Sequence, residues 1–489
     1  MITKLGDFSE ICKLGSVKLS VSHGIFSLFG QFKLSSTLRS LKMTKQCGHS
    51  ASEVIMALCM FKVLGETISS MFSEKFKNLL SVGKNCFYRM LTRTGMDWRR
   101  LLAVMTVRFL AILRKRGVKF HSRTACFILD DTTLEKTTTN AEFVSRVYDH
   151  VYSKCVLGYK LQLLCVSDGV TTIPVDFSIH REKGSKGTFG LTAKERRNQE
   201  QKKRNSDSPE AVRASEVDES KTDVAVKMMR RAWKSGIRPL YVLADSWYLS
   251  EKILRSTIEL GKGALHYLGL GKMNKTRYKV DGRMYNAAML VTKYERLRSH
   301  DCRKYHCRYI TLNGEYMDTG IPVRIFLIKY GHNKNWNIMV TTDLQISFVK
   351  AFETYQIRWS IEVLIKDSRQ HLGLGRCQSN DFDALIADTT ITLMTYQVAA
   401  LQLRFSEYET MGEIFSCMEG DLLKLSLWNV ILDCLTRILI KFAELCNWNL
   451  EDMMVRIASE DEASSEILFL ARALEEYRKS YMPDTQKAI

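Results

Sequence analysis

Two short apolar runs, each closed by an acid, restrict the fold of this chain more than any other feature of its sequence. Residues 124–129 lead into Asp130 and Asp131, and residues 240–244 lead into Asp245. Runs of this length, rich in β-formers and stopped by polar residues, read as buried strands. Between them lie two more strand-like segments, 159–166 and 172–179, which flank a hairpin signal at Ser167-Asp168-Gly169. Helical text follows over 211–235 and is stopped by Gly236. Strands alternating with helices indicate an α/β sheet, and open α/β sheets place ligands at the carboxyl ends of their strands. Two aspartates delivered there mark a candidate site.

The flanking text differs. Residues 1–119 read as mostly helical: Ser50 and Glu53 have capping-box spacing ahead of an apolar rhythm at Val54, Ile55, Leu58 and Phe61, and a helix from Asp97 to Arg116 is stopped by Gly117. Residues 271–345 turn β-rich, with strands expected at 278–280, 305–312, 323–330 and 336–341 and turns at Asp281-Gly282 and Asn313-Gly314. Helical text resumes near Ser347, runs unbroken through Gln370 and returns to the end, with a late acidic patch at Glu460, Asp461, Glu462 and Glu466. The expected plan is a helical region over 1–119, an α/β core over 120–270 and 346–405 interrupted by a β-rich insertion over 271–345, and a helical region over 406–489. A length of 489 residues suits about three domains.

Lys and Arg number 72 against 53 Asp and Glu, a formal charge of +19 that favours a polyanionic partner, nucleic acid first. Nine of these cations fall in 181–205, among them Arg181, Lys183, Arg196 and Arg197. That segment is a candidate DNA-contacting loop, with a solvated surface as the plainer reading. Thirteen cysteines are scattered singly, and Cys302, His306 and Cys307 lack paired zinc-ligand spacing, so a reducing compartment is expected and zinc is not. The most apolar late stretch, 384–403, contains Asp388 and reads as a buried helix; neither a membrane span nor a secretory leader is expected.

The densest chemistry lies in one helical segment, where Tyr355, Arg358, Glu362, Lys366 and Arg369 recur at spacings of 3, 4, 4 and 3 and so share one helix face. Alone, this could be a solvated salt-bridge face. With the strand-end aspartates it supplies three carboxylates, Asp131, Asp245 and Glu362, of the kind that hold hard divalent cations. Cations at Arg358, Lys366 and Arg369 would flank a phosphate there. Trp336 opens the last strand of the insertion, and Trp247 is expected to pack the floor of the site.

The pattern Tyr355-x2-Arg358-x3-Glu362-x6-Arg369 resembles the Y-R-E-K signature of DDE transposases of the insertion-sequence-four type. Asp130-Asp131-Thr132-Thr133 and Leu243-Ala244-Asp245-Ser246 resemble the two aspartate motifs of that family. The resemblance covers about residues 120–405 and departs from the signature at its last position, Arg369 in place of Lys. It implies an RNase H-like mixed-sheet core with Asp131, Asp245 and Glu362 as ligands of two Mg²⁺ ions, replaceable by Mn²⁺. Asp130 is the rival for the first position or an orienting neighbour. Tyr355, Arg358, Lys366 and Arg369 would contact DNA phosphates, and Trp336 would stack on a base. The implied activity is cut-and-paste transposition through a DNA hairpin, acting on transposon-end and target DNA as a homodimer in a prokaryotic cytoplasm, associated with the nucleoid. A nuclease of the same fold without strand transfer, or a non-catalytic DNA-binding regulator, are the other readings.

Overall fold

The computed structural model describes residues 29–420 except 46, 73–82, 119, 121–124, 187–188, 274–275 and 332–334, and beyond 420 only 441 and 445. Expectations for residues 1–28 and for most of the helical C-terminal region, its acidic patch included, lie outside the described residues. The chain divides into two compact units, Met1–Arg93 with Leu401–Ile489, and Thr94–Ala400.

In the first unit three helices, α1 (Leu34–Ser40), α2 (Ala51–Val63) and α3 (Lys84–Leu91), are described in the N-terminal part. The capping box at α2 forms as its spacing predicts: the Ser50 amide donates to Glu53 Oε2 at 2.8 Å and the Glu53 amide to Ser50 Oγ at 3.2 Å. Val54, Ile55, Leu58 and Phe61 are buried, and Phe61 meets Phe87 of α3 at 4.9 Å between ring centres.

The second unit opens with α4 (Trp98–Lys115), capped by Asp97, which accepts from the Arg100 amide at 3.0 Å. The sheet then begins with β1 (Cys126–Glu135), β2 (Ser145–Asp149), β3 (Lys154–Ser167) and β4 (Thr172–His180), followed by a small pair, β5 (Ser185–Lys186) and β6 (Phe189–Gly190). Helices α5 (Ala193–Arg197), α6 (Pro209–Ser215) and α7 (Lys221–Lys234) precede β7 (Tyr241–Ala244), α8 (Glu251–Gly261) and β8 (His266–Gly271). The next segment supplies β9 (Arg277–Val280), β10 (Arg283–Asn286), α9 (Ala287–Arg298), β11 (Ser299–Cys302), β12 (Cys307–Tyr316), β13 (Ile321–Tyr330) and β14 (Trp336–Thr341). Then come α10 (Phe348–Gln356), α11 (Trp359–Leu372) and α12 (Phe382–Arg404).

The result is a mixed α/β fold. Among the described residues twelve strands join one sheet in the order β10-β9-β12-β13-β14-β8-β7-β1-β3-β2, with β4 also on β3 and β11 on β12. β1 runs antiparallel to β3 and parallel to β7, which runs parallel to β8. Ala125–Leu129, Leu163–Cys165 and Val242–Ala244 are almost wholly buried, as strands covered on both faces must be.

Several details differ from the sequence reading, among them the helix α9 inside the segment read as β-rich. β1 does not stop at the acids; it continues to Glu135, with Asp130 opposite Leu163 and Asp131 opposite Gln162. The expected helix over 211–235 is two, because Ser220 caps a fresh start at Lys221 by accepting from the Asp223 amide at 3.1 Å. The helical text after Ser347 also breaks, where Arg358 donates to Tyr355 and Ser360 to Ile357 in three-residue turns that redirect the backbone. Asn313-Gly314 is no turn but mid-strand: a Cβ on Gly314 would lie 2.5 Å from the Lys279 carbonyl oxygen, so glycine permits close strand approach there. The β-rich segment extends the core sheet through β14 on β8.

α12 is long and apolar enough to cross a membrane by length and composition, yet 94% of that window is buried within the fold. Its Gln397 donates from Nε2 to the Pro174 carbonyl and to Thr106 Oγ1 of α4, both at 2.8 Å, so it is a core helix.

Candidate active site

The parallel register of β1 and β7 sets Leu129 beside Ala244, which brings Asp130 and Asp245 to the same end of adjacent strands. α11 crosses this end and contributes Glu362, Lys366 and Arg369. These residues, with Asp131, Thr132, Lys221, Trp247 and Lys272, line a cleft of about 910 Å³.

Alternation along β1 separates the two adjacent acids. Asp130 turns to α11: Arg358 donates from Nη1 to Asp130 Oδ2 at 3.2 Å and from Nη2 to Glu362 Oε1 at 2.6 Å, tying the two carboxylates together. Asp131 turns to α7, where Lys221 Nζ lies 2.5 Å from its Oδ2, while Lys160 Nζ lies 3.8 Å from its Oδ1. Asp245 follows β7 and accepts the Trp247 amide at 3.0 Å. Burial pushes the Asp130 carboxyl up to about 7, and the charges of Asp245 and Asp131 add to the rise against the Asp131 amide and Arg358. Burial, then the charge of Asp131, also raises Asp245. Four acids and four cations thus line the cleft, and burial, before the repulsion between acids, is the first cause of the raised aspartates.

On the far side of the Asp130–Glu362 pair, Arg369 donates to Thr132 Oγ1 at 2.7 Å and to the Thr133 carbonyl. Tyr355 sits behind Arg358, its hydroxyl buried and pushed up to about 12 chiefly by that burial, with the Arg358 guanidinium 5.8 Å from the ring centre. Trp247 does not pack a floor: it is 42% exposed at the edge of the cleft, with Lys221 Nζ 4.2 Å from its ring centre.

The remaining sequence candidates stand apart from the cleft lining. Trp336 begins β14, half-buried, with Lys329 Nζ 5.7 Å from its ring centre. Arg181 forms a two-pronged pair with Asp218 at 2.8 and 2.7 Å, and Lys183, Arg196 and Arg197 are exposed. The end of the basic segment is structural: Lys202 bridges Asp381 and Asp383 at 2.9 and 2.7 Å, and half-buried Arg204 joins Glu142 and Asp383 at 2.6 and 3.0 Å. Asp381 also caps α12, accepting from the Asp383 and Ala384 amides at 2.7 and 3.2 Å. Lys221, Lys160 and Lys272 escaped the sequence reading; the Ser220-x-x-Asp223 cap signature was the available sign that a helix begins at Lys221 and points its first turn at the site.

Among the described residues no three His, Cys, Asp or Glu side chains converge as they stand into a cage for a metal ion. The donor set at the cleft is nevertheless all carboxylate oxygen, the type hard divalent cations take, and its acids raise one another's affinity for positive charge.

Two family comparisons match this part of the chain. The DDE superfamily endonuclease profile matches residues 81–268, and the transposase DDE domain profile matches residues 205–398. The first spans Asp130, Asp131 and Asp245, the second Asp245 and Glu362. Comparison with curated proteins found no match. The two profile matches support a DDE transposase with nuclease chemistry on DNA.

Proposed function

We propose that this chain is a transposase of the insertion-sequence-four type that cuts DNA at the ends of a mobile element and joins those ends to target DNA. The observation that carries the reading is one cleft in which acids from β1, the end of β7 and α11 meet cations from α7, α11 and the residue after β8. We assign Asp130, Asp245 and Glu362 as the carboxylates that hold divalent metal, Mg²⁺ or Mn²⁺. Asp130 takes the first position because it shares Arg358 with Glu362, whereas the sequence motif alone favours Asp131.

Metal bound there would supply Lewis-acid stabilisation of charge on the phosphoryl oxygens and a more acidic water. The protein's own residues do the rest. Lys366 and Arg369 bind phosphates along one wall, and Arg358 orients the Glu362 carboxylate. In cleavage a water oxygen bonds to phosphorus, the P–O3′ bond breaks, and the 3′-oxygen leaves with a proton. In strand transfer the freed 3′-hydroxyl replaces water as nucleophile. A hairpin intermediate, pairing of two protomers across two DNA ends, and a cytoplasmic, nucleoid-associated setting belong to the same reading.

Incubating the protein and Mg²⁺ with a plasmid carrying the DNA that borders its own gene, then resolving products on a denaturing gel, tests it. Nicks at element ends and joined products are expected. Cleavage without joining would reduce the protein to a nuclease, and Glu362→Gln cutting at the parent rate would overturn the assignment of the site.

A further inference from the structure

The metal-facing carboxylates leave one strong contact of the cleft unused, the ion pair between Asp131 and Lys221. Lys221 is the first residue of α7 and reaches the cleft beside Asp245 and Trp247. Its ammonium is fixed on two sides, by Asp131 Oδ2 at 2.5 Å and by the Trp247 ring at 4.2 Å. Its backbone is fixed as well, since the Lys221 carbonyl accepts from Gln162 Nε2 at 2.8 Å. Gln162 is fully buried; Tyr248 Oη lies 3.2 Å from its Nε2, and His180 Nε2 lies 3.2 Å from its Oε1. The Lys221 and Asp131 side chains remain 19% and 16% exposed at the cleft, and an ion pair serving only the fold has no need of a buried network beneath its backbone. A lysine that must meet a phosphoryl oxygen without reorganising does.

The charges of the cleft are also divided. Among the described residues Asp130 and Glu362 share a single ion-pair partner, Arg358. Asp131 has two, Lys221 and Lys160, and Lys160 is itself anchored on Thr133 Oγ1 at 3.0 Å. An acid already compensated by fixed lysines is poorly suited to bind metal and well suited to aim a lysine. On the other wall stand Lys366 and Arg369.

We propose that Lys221 is a catalytic residue that places its ammonium on the scissile phosphate, opposite Lys366 and Arg369, and that Asp131 is its positioning residue rather than a metal ligand. This rests on the reading of the cleft as a DNA-cleaving site. Lys221 stabilises charge as water adds to phosphorus and the P–O3′ bond breaks; it transfers no proton.

The test uses the full chain, the plasmid described above, and Mn²⁺ alone as a binding probe followed by calorimetry. Lys221→Met should cut about 100-fold more slowly, the usual loss on removing one preorganised donor, while binding the DNA within about threefold of the parent. Lys221→Arg should recover much of the rate. Asp131→Asn should reproduce the slower cutting with unchanged Mn²⁺ affinity, whereas Asp130→Asn should lose Mn²⁺ affinity at least tenfold. Loss of Mn²⁺ affinity in Asp131→Asn, or a parent rate in Lys221→Met, would overturn the proposal. A parent that cuts no DNA would instead overturn the reading of the cleft, and the Mn²⁺ affinities of the two aspartate variants would still decide which acid is the ligand.

Discussion

Half-buried Asp130 and buried Asp176 are aspartates of one sheet, on β1 and β4 with only β3 between them, and their surroundings drive them in opposite directions. Burial alone would raise Asp176, but Arg99, Arg231 and Arg213 overcome it and hold its carboxyl below the usual carboxylate range. Arg231 Nη2 lies 2.7 Å from Asp176 Oδ2, Arg99 Nε lies 3.2 Å from Oδ1, and Glu216 joins the same arginines. In that cluster three guanidiniums face two carboxylates, so the acids are fully compensated within the fold. Asp130 has Arg358, which does not offset its burial, and with the charges of Asp245 and Asp131 added its carboxyl rises to about 7. Acids that serve the fold are neutralised by it, and acids left short of positive charge mark a place where charge is to be supplied from outside.

The sharpest way to break this contrast is to neutralise an acid at each place. Asp245→Asn or Glu362→Gln should slow metal-dependent DNA cleavage by roughly 10³-fold or more, because groups acting as a unit fail together. Thermal unfolding of the same variants should stay level or move upward, since like-charge repulsion is relieved. Asp176→Asn should do the reverse. It leaves buried Arg213, with Arg99 and Arg231 beside it, facing too little negative charge, which costs about 3–5 kcal/mol in denaturant unfolding, while the rate per folded molecule is kept. Equal stability losses at the two sites would remove the distinction.

A pH titration sharpens the comparison at a third buried group. Burial first, then the charge of Lys221, holds His180 down to about 4, so it is neutral in the native state. An unfolded histidine takes its proton near 6.5. Between those values the unfolded chain binds more protons, so stability is lost as pH falls from about 6.5 toward 4, by up to about 3 kcal/mol. His180→Gln should flatten the thermal midpoint over that window relative to the parent, and parallel curves would show that His180 does not titrate there.

What could be read beforehand follows the range of the forces involved. The strands near 159–166, 172–179, 240–244, 323–330 and 336–341, the buried helix α12 and the caps at Ser50 and Asp97 were legible because periodicity and capping are local, whereas strands such as β2 and β8 were not. Asp245 and Glu362 were legible through the motif resemblance, and the structure sets them in one cleft with Asp130. Which acid of the Asp130-Asp131 pair faces Glu362 was not, because it depends on the face that each side chain takes and on cations 90 and 228 residues away in the chain, Lys221 and Arg358. The same limit explains the basic segment 181–205. Composition cannot tell exposed Arg196 from Arg204, whose partners Glu142 and Asp383 lie in a distant loop and in the first turn of α12.

That segment provides the smallest test. Arg196 and Arg197 are exposed at the end of α5, and if DNA runs over this surface each neutralises one phosphate. Arg196→Ala with Arg197→Ala should weaken DNA binding by less than about tenfold in moderate salt and lower the slope of log affinity against log salt by about 1.8, or 0.9 per lost contact. Arg204→Met should leave that slope unchanged and appear as a loss of stability, because its charge is spent inside the fold. An altered slope in Arg204→Met, or an unaltered one in the double variant, would show that exposure does not separate the DNA-binding cations of this segment from its structural ones.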